Sequence, residues 1–263
     1  MAYRNQIARN VVLVLFLGFL LFPLLVLVAV SVNPQVMVFP PRGFSLKWYA
    51  EIFKKEEFLS AAYSSFILAL ATSAVSVVLG VLAALGMRKL KGRISGVVLA
   101  MLQSPLFFPA VIVALAAFQV ITTLGVEVSF LALLMAHVVV TMPYPLRNVL
   151  AQLVNFDSRL EEAAMSLGAK PITVFFRITL PLIRASVVPA FLLVFVLSWN
   201  NYTVSIFLAG TNWVTLPLQL RAYLQYEYEP FVAAMSTVLI IFSAFLLFVS
   251  ERFFGVASRS QAK

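Results

Sequence analysis

Six stretches of this chain are long, apolar and free of Asp, Glu, Lys and Arg: residues 11–32, 60–86, 96–121, 129–146, 187–209 and 231–250. A bilayer core takes about 20 such residues per helix. The chain has 263 residues, 62% of them apolar or aromatic and only 11% charged. A soluble fold of that size could not hide so much apolar surface, so lipid must solvate part of it. The expected fold is all-α: a polytopic membrane protein with six transmembrane helices in a single domain, residues 1–263. The first stretch follows Arg4 and Arg9 and resembles a signal peptide, but its apolar run exceeds the usual 7–15 residues of an h-region. It is read as a retained helix.

Composition removes several classes of chemistry. There is no cysteine, hence no disulfide framework, cysteine zinc site, iron–sulfur cluster or thiol nucleophile. His137 is the only histidine, and no metal site is expected. The P-loop pattern is missing; Gly86-Met87-Arg88-Lys89-Leu90-Lys91-Gly92-Arg93 has the wrong spacing. No catalytic residues are expected, and the chain reads as a transport component rather than an enzyme. Ion-coupled carriers and proton pumps place ionisable groups inside the membrane, where this chain has only His137. That side chain reads as a neutral imidazole bonded between helices in preference to a proton relay. Any uphill transport must therefore draw its energy from a partner. The alternative is an autonomous ion-coupled secondary carrier with a purely structural cytoplasmic loop.

Charge fixes the expected orientation. With both termini in the cytoplasm, the inner segments hold Arg4, Arg9, Arg88, Lys89, Lys91, Arg93, Arg147, Arg159, Lys170, Arg177, Arg184, Arg252, Arg259 and Lys263. The outer segments hold Arg42, Lys47, Lys54, Lys55 and Arg221. That asymmetry follows the positive-inside rule. The net charge of +9 is thus a topology signal, and no nucleic-acid partner is expected. On the outer side, Phe44-Ser45-Leu46-Lys47-Trp48-Tyr49 reads as a short interfacial helix, with Trp48 and Tyr49 as anchors at the membrane–water boundary.

The cytoplasmic loop 147–186 is too long to be a plain connection. Ser158-Arg159-Leu160-Glu161 has the S-x-x-E capping-box pattern and predicts a helix through Leu167. Gly168 can end it with positive φ. Pro171 fits the first position of a second helix, which carries Ile172, Phe175 and Phe176 and ends near Leu180-Pro181. These apolar stripes could pack against the spans or lie in a partner's groove, and spacing leaves both open.

The residues Glu162-Ala163-Ala164, Gly168, Ile178, Leu180 and Pro181 match E-A-A-x3-G-x9-I-x-L-P at every specified position. This resembles the EAA loop of inner-membrane permeases of binding-protein-dependent ABC importers with the type I, MetI-like fold. The resemblance implies a coupling helix that docks on an ATPase. Glu162 would be its polar contact, Ala163 and Ala164 would permit close approach, and Gly168 would make the turn. Phe175, Ile178, Leu180 and Pro181 complete the coupling segment, with Glu161 as cap. It further implies a bacterial inner-membrane location and a second six-span permease, as a heterodimer in preference to a homodimer. Two ATPase subunits would hold ATP and Mg, no cofactor would bind this chain, and a periplasmic or lipid-anchored binding protein would deliver solute.

Phe44-Ser45-Leu46-Lys47-Trp48-Tyr49 and Thr215-Leu216-Pro217-Leu218 are similar to the polyamine branch of that family. Yet span three reads Ser104-Pro105-Leu106 and span five reads Ser198-Trp199-Asn200-Asn201-Tyr202, with no acid in either. The solute class is accordingly a small organic nitrogen compound: polyamine-like, an amino acid derivative or an aminophosphonate. Trp199, Asn200, Asn201 and Tyr202 are candidates for lining the solute pathway, because adjacent amides at membrane depth need partners or a cavity. Interhelical hydrogen bonding explains them equally well. Tyr144, within Met142-Pro143-Tyr144-Pro145, and Ser104, beside Pro105, are further candidates at proline-interrupted points, which read as static kinks in preference to hinges.

Overall fold

The computed structural model describes residues 2–35, 37–154, 157–210 and 213–252. Among these there is no β-strand. Five helical spans are long and apolar enough to cross a membrane, and a sixth results if one sharply bent helix pair counts as a single span. The chain divides into two compact units, one built on residues up to Leu59 and on Leu220–Ser243, the other on Ser60–Gln219 and residues from Ala244 onward.

The first unit opens with α1 (Ala2–Ser31). Its apolar residues from Val11 to Leu24 are all exposed, as suits a helix solvated by lipid on every side. The turn after α1 is closed by side chains. Ser31 Oγ donates to the Val28 carbonyl and lies 2.6 Å from the Tyr49 hydroxyl. In α2 (Lys47–Ile52), Trp48 is buried and its indole N–H donates to the Asn33 carbonyl at 2.8 Å. Trp48 is therefore a clamp on the loop after α1. Further along the same unit, Phe58 meets Tyr223 and Phe231 edge to face, and those two rings are tilted against each other. Lys55 Nζ donates to the Tyr223 hydroxyl at 2.8 Å, and that hydroxyl donates to Glu229 at 2.7 Å. Burial and then the Glu229 carboxylate push the Tyr223 phenol upward, so it stays protonated and can donate.

The second unit carries most of α3 (Glu56–Met87), then α4 (Gly92–Gln103), a 3-10 turn at Ser104–Leu106 and α5 (Ala110–Thr123). The apolar run 96–121 is thus not one straight span: its two helical parts meet at 100°. Pro105 and Pro109 remove two backbone donors at the bend, where hydropathy alone reads continuity. Helices α6 (Phe130–Thr141) and α7 (Pro143–Val154) follow with only Met142 between them. The fourth span therefore runs eight residues past the expected limit of 146, into the segment read as loop.

That segment is mostly helical. It contains α8 (Arg159–Ser166), α9 (Pro171–Val174), a π turn at Phe175–Thr179 and the start of α10 (Leu180–Trp199). The expected helix end near Leu180-Pro181 is corrected, because the chain passes straight into α10. The wide π turn lies just before Pro181, where an α-helical turn would clash with the proline ring and lack its N–H. Helix α10 stops at Trp199, and α11 (Tyr202–Leu208) starts after a break at Asn200-Asn201. The run 187–209 is therefore interrupted, not continuous. Helices α12 (Leu216–Tyr223) and α13 (Phe231–Ser250) complete the described chain.

Two apolar clusters hold the second unit. One joins Leu68, Ala114, Leu133, Ala136, Val204 and Leu208. The other joins Val77, Val81, Leu146, Val149, Leu153 and Ile183. In the second, α3 meets the start of α7 so closely that a Cβ on Gly80 would stand 2.9 Å from the Leu146 nitrogen and from Pro145. Small residues permit such approach where lipid supplies no hydrophobic drive between helices. A buried polar line joins α3, α6 and α10. Ser76 and Thr141 hydroxyls lie 2.9 Å apart, and His137 Nδ1 lies 2.8 Å from Ser198 Oγ. His137 is fully buried, and its partner on α10 makes it the interhelical bond read from the sequence.

Candidate functional site

The EAA segment is built on a short helix whose two neighbouring glutamates differ in burial. Successive residues on an α-helix diverge by about 100°, so Glu161 and Glu162 cannot share a face. Glu161 is half-buried and Glu162 exposed. Arg88, the residue after α3, grips Glu161 through both guanidinium nitrogens, at 3.2 Å to Oε1 and 3.0 Å to Oε2. Thr179, buried in the π turn, donates its hydroxyl to the same Oε1. Burial pushes the Glu161 carboxyl up, but the hydrogen bonds from Arg88 and Thr179 and the Arg88 charge outweigh it and hold the carboxyl below its usual range.

The expected capping box is corrected. Ser158 makes no side-chain cap bond, and its hydroxyl reaches Glu162 Oε1 only at 3.4 Å. Asp157 Oδ1 accepts the Arg159 N–H at 3.0 Å. Glu161 is drawn inward because a bidentate guanidinium partner outcompetes a single exposed backbone N–H. Neither Arg88 nor Thr179 was singled out from the sequence. Arg88 entered only as one of the inner-side charges, and no local pattern links positions 88, 161 and 179.

The rest of the motif is placed as follows. Ala163 is exposed and Ala164 half-buried. Gly168 has φ +86° with open space around it, and the Ala169 N–H returns to the Ala164 carbonyl at 3.1 Å. This is the left-handed helix end that glycine favours. Leu167, before it, is 90% exposed, and Leu160, Ile172 and Phe176 are exposed too. Phe175 instead turns to the apolar cluster and meets Phe176 edge to face at 5.0 Å. Ile178 and Leu180 are half-buried and Pro181 is exposed. Between α8, the end of α3 and the π turn lies an open groove of about 510 Å³, with Leu85, Val174 and Phe175 among its apolar lining and Arg88, Glu161 and Glu162 among its charged lining.

The second group of candidates lies at the break between α10 and α11. Trp199 is buried, stacked on Phe195 at 5.9 Å and met edge-on by Phe66. Asn200 is exposed, and its amide donates back to the Val196 carbonyl at 2.9 Å. Asn201 accepts the Val204 N–H at 2.9 Å and so caps α11. Tyr202 and Tyr144 are half-buried. Ser104 is half-buried and donates its hydroxyl to the Met101 carbonyl at 2.8 Å, within its own helical turn. Among the described residues no group of His, Cys, Asp or Glu could hold a metal ion.

Apolar helices of membrane length, a helix–glycine–helix element on one end and a polar break inside a span define a polytopic membrane transport component. Residues 76–262 match the family of binding-protein-dependent transport system inner membrane components, and the chain belongs to that family. It is similar to the spermidine/putrescine transport system permease protein PotC of Haemophilus influenzae, at 30% identity over 92% of this chain and 95% of that protein. It is also similar to the putrescine transport system permease protein PotI of Escherichia coli, at 31% identity over 88% and 85%. In fold it resembles a chain of a bacterial ABC transporter that imports the acidic polysaccharide alginate, with TM-score 0.75 at 17% identity, covering 96% of this chain and 97% of that one. The protein is an ABC importer permease component, a multi-pass protein of the inner membrane and not itself an enzyme.

Proposed function

We propose that this chain is one half of a solute pathway whose motion is driven by ATP bound and hydrolysed, with Mg, on two partner ATPase subunits. The observation that carries the reading is the division of labour on α8. Glu161 is tied inside the chain, while Glu162, Leu160 and Leu167 stand exposed around it. An exposed face that mixes apolar side chains with Glu162 on a short, well-ended helix suits insertion into a partner's groove. A second six-span permease completes the pathway as a heterodimer, a periplasmic or lipid-anchored protein delivers the solute, and both termini of this six-span domain lie in the cytoplasm. The solute is a small organic nitrogen compound, and the names of the similar permeases favour a polyamine. The spans 60–86, 96–121, 129–146 and 187–209 carry no carboxylate, so a polycation would need its balancing charge from the second permease.

The test is Glu162→Lys in the whole complex. It leaves the two permeases associated and lowers ATPase retention at least about tenfold, equivalent to 1.4 kcal/mol. Unchanged retention overturns the docking role. Uptake of labelled putrescine, competed separately by spermidine, a neutral amino acid and an aminophosphonate, assigns the solute class.

A further inference from the structure

Of the two glutamates on α8, the proposed function uses only Glu162. Glu161 is the better-connected residue. Its carboxylate joins three separate elements: α8 itself, the inner end of α3 through Arg88, and the π turn that leads into α10 through Thr179. The pair is shielded, with side-chain exposures of 25% for Arg88 and 18% for Glu161. A bidentate fork fixes direction as well as distance, unlike a single-point ion pair. The adjoining groove is open and shares Arg88 and Glu161 in its lining with apolar Leu85, Val174 and Phe175, so the fork's geometry and not exclusion of water sets the strength of the joint.

We infer that Glu161 is a positioning residue: with Arg88 and Thr179 it forms a fixed joint that makes the coupling helix α8 and the inner end of α3 move as one body during the transport cycle. This rests on the proposed docking of α8 to an ATPase. A coupling helix that moves must pull on something. A surface contact of α8 alone would let it slide, whereas the fork passes its displacement into a helix 32 residues long. The exposed glutamate takes the force from the partner, and the half-buried one hands it to the membrane domain.

The chain has no cysteine, which allows two spin labels to be placed cleanly, by Lys91→Cys beyond α3 and Arg159→Cys on α8. Lys91 lies outside the joint and outside α8; Arg159 stands one turn before Glu162, so ATPase retention by the labelled complex is checked before any distance is read. The complex with its ATPase is held in lipid nanodiscs, and the label separation is measured without nucleotide and after trapping with ATP and vanadate. Expected is one narrow distance that changes by less than about 2 Å between the two states, the scale of small adjustments in a packed interface. In Glu161→Gln and in Arg88→Gln the distribution broadens and shifts on trapping by about 5 Å, one helical turn. The double substitution behaves as either single one, because both remove the same pair.

A shift of about 5 Å in the unsubstituted joint overturns the inference, as does a Glu161→Gln distribution identical to the parent's in both states. Should Glu161→Gln fail to assemble, Arg88→Lys keeps the charge but loses the fork and gives an intermediate width; parental width there overturns the joint. Absence of ATPase from the unsubstituted complex is seen before any label is read, and it overturns the docking reading instead.

Discussion

Glu161 and Gly80 show how single residues hold this chain together by contacts between distant positions. The Glu161 carboxyl is held below its ordinary range, so its contribution to stability is complete above the unfolded value and is lost as pH falls through the folded one. The expected outcome is a melting-temperature gap between the parent and Glu161→Gln that is constant near neutrality and closes only below about pH 4. Thermal unfolding in detergent across a pH series checks it, and a gap that closes near pH 7 contradicts it. Gly80 is limited by space rather than charge. An added Cβ would meet backbone at Leu146 and the Pro145 ring at 2.9 Å, neither of which is a flexible tip. Gly80→Ala should lower stability by about 1–3 kcal/mol, the usual range for overpacking. Gly86→Ala, with nothing within 4 Å, should leave the melting temperature unchanged or raised. The sequence shows both glycines within one apolar run and gives no sign of the difference. Only the approach of a second helix, more than 60 residues further along the chain, separates them. For the same reason Arg88 could be read as a topology charge but not as a partner of Glu161.

At the scale of elements, hydropathy reports which residues prefer lipid and says little about where a helix breaks. The apolar runs 96–121 and 187–209 both look continuous on that measure, and both are interrupted. The prolines of the first were legible as a disturbance, but a bend of 100° depends on how the following helix packs. The amides of the second were legible as polar groups that must find partners at membrane depth. Each has a local partner: Asn201 takes the Val204 N–H and Asn200 returns to Val196. The EAA segment was the most legible element, because its glycine turn and Pro171 start are fixed by short-range backbone rules. Its capping box failed because a distant arginine claimed the glutamate. Capping by Asn201 has a measurable consequence. Asn201→Ala should cost about 0.5–2 kcal/mol of stability, while Asn201→Ser retains the acceptor and most of that stability. Equal losses in the two variants would place the asparagine's role in a contact other than the cap. Gly168→Ala tests the other end of the logic. With φ +86° and open space around it, the added methyl meets no neighbour, so the cost of about 1–2 kcal/mol comes from backbone strain alone. That cost falls on the turn after α8, and reduced ATPase retention without loss of the permease pair is the expected readout.

For the whole molecule, the decisive quantity is the distribution of charge along the chain. Six apolar runs separate basic segments into two sets, and the set containing Arg88, Lys89, Lys91 and Arg93 is the richer. Transfer of a cationic segment across the inner membrane works against insertion, so the richer set is expected in the cytoplasm. On that expectation, the proposed docking helix α8 faces the side where nucleotide is available, and α2 with its neighbouring lysines faces outward. Single thiols test that arrangement directly, since the parent chain has none. In intact cells with a permeable outer barrier, a membrane-impermeant maleimide should label Lys54→Cys and leave Lys91→Cys unlabelled. Opening the inner membrane should then make the second site react. Lys54 is well suited as reporter because its side chain is 67% exposed and its ion pair with Glu51 is a surface contact that contributes little. Labelling of Lys91→Cys from outside would invert the topology. It would put α8 beyond the reach of any ATPase and remove the importer mechanism with it, whatever the match of its motif.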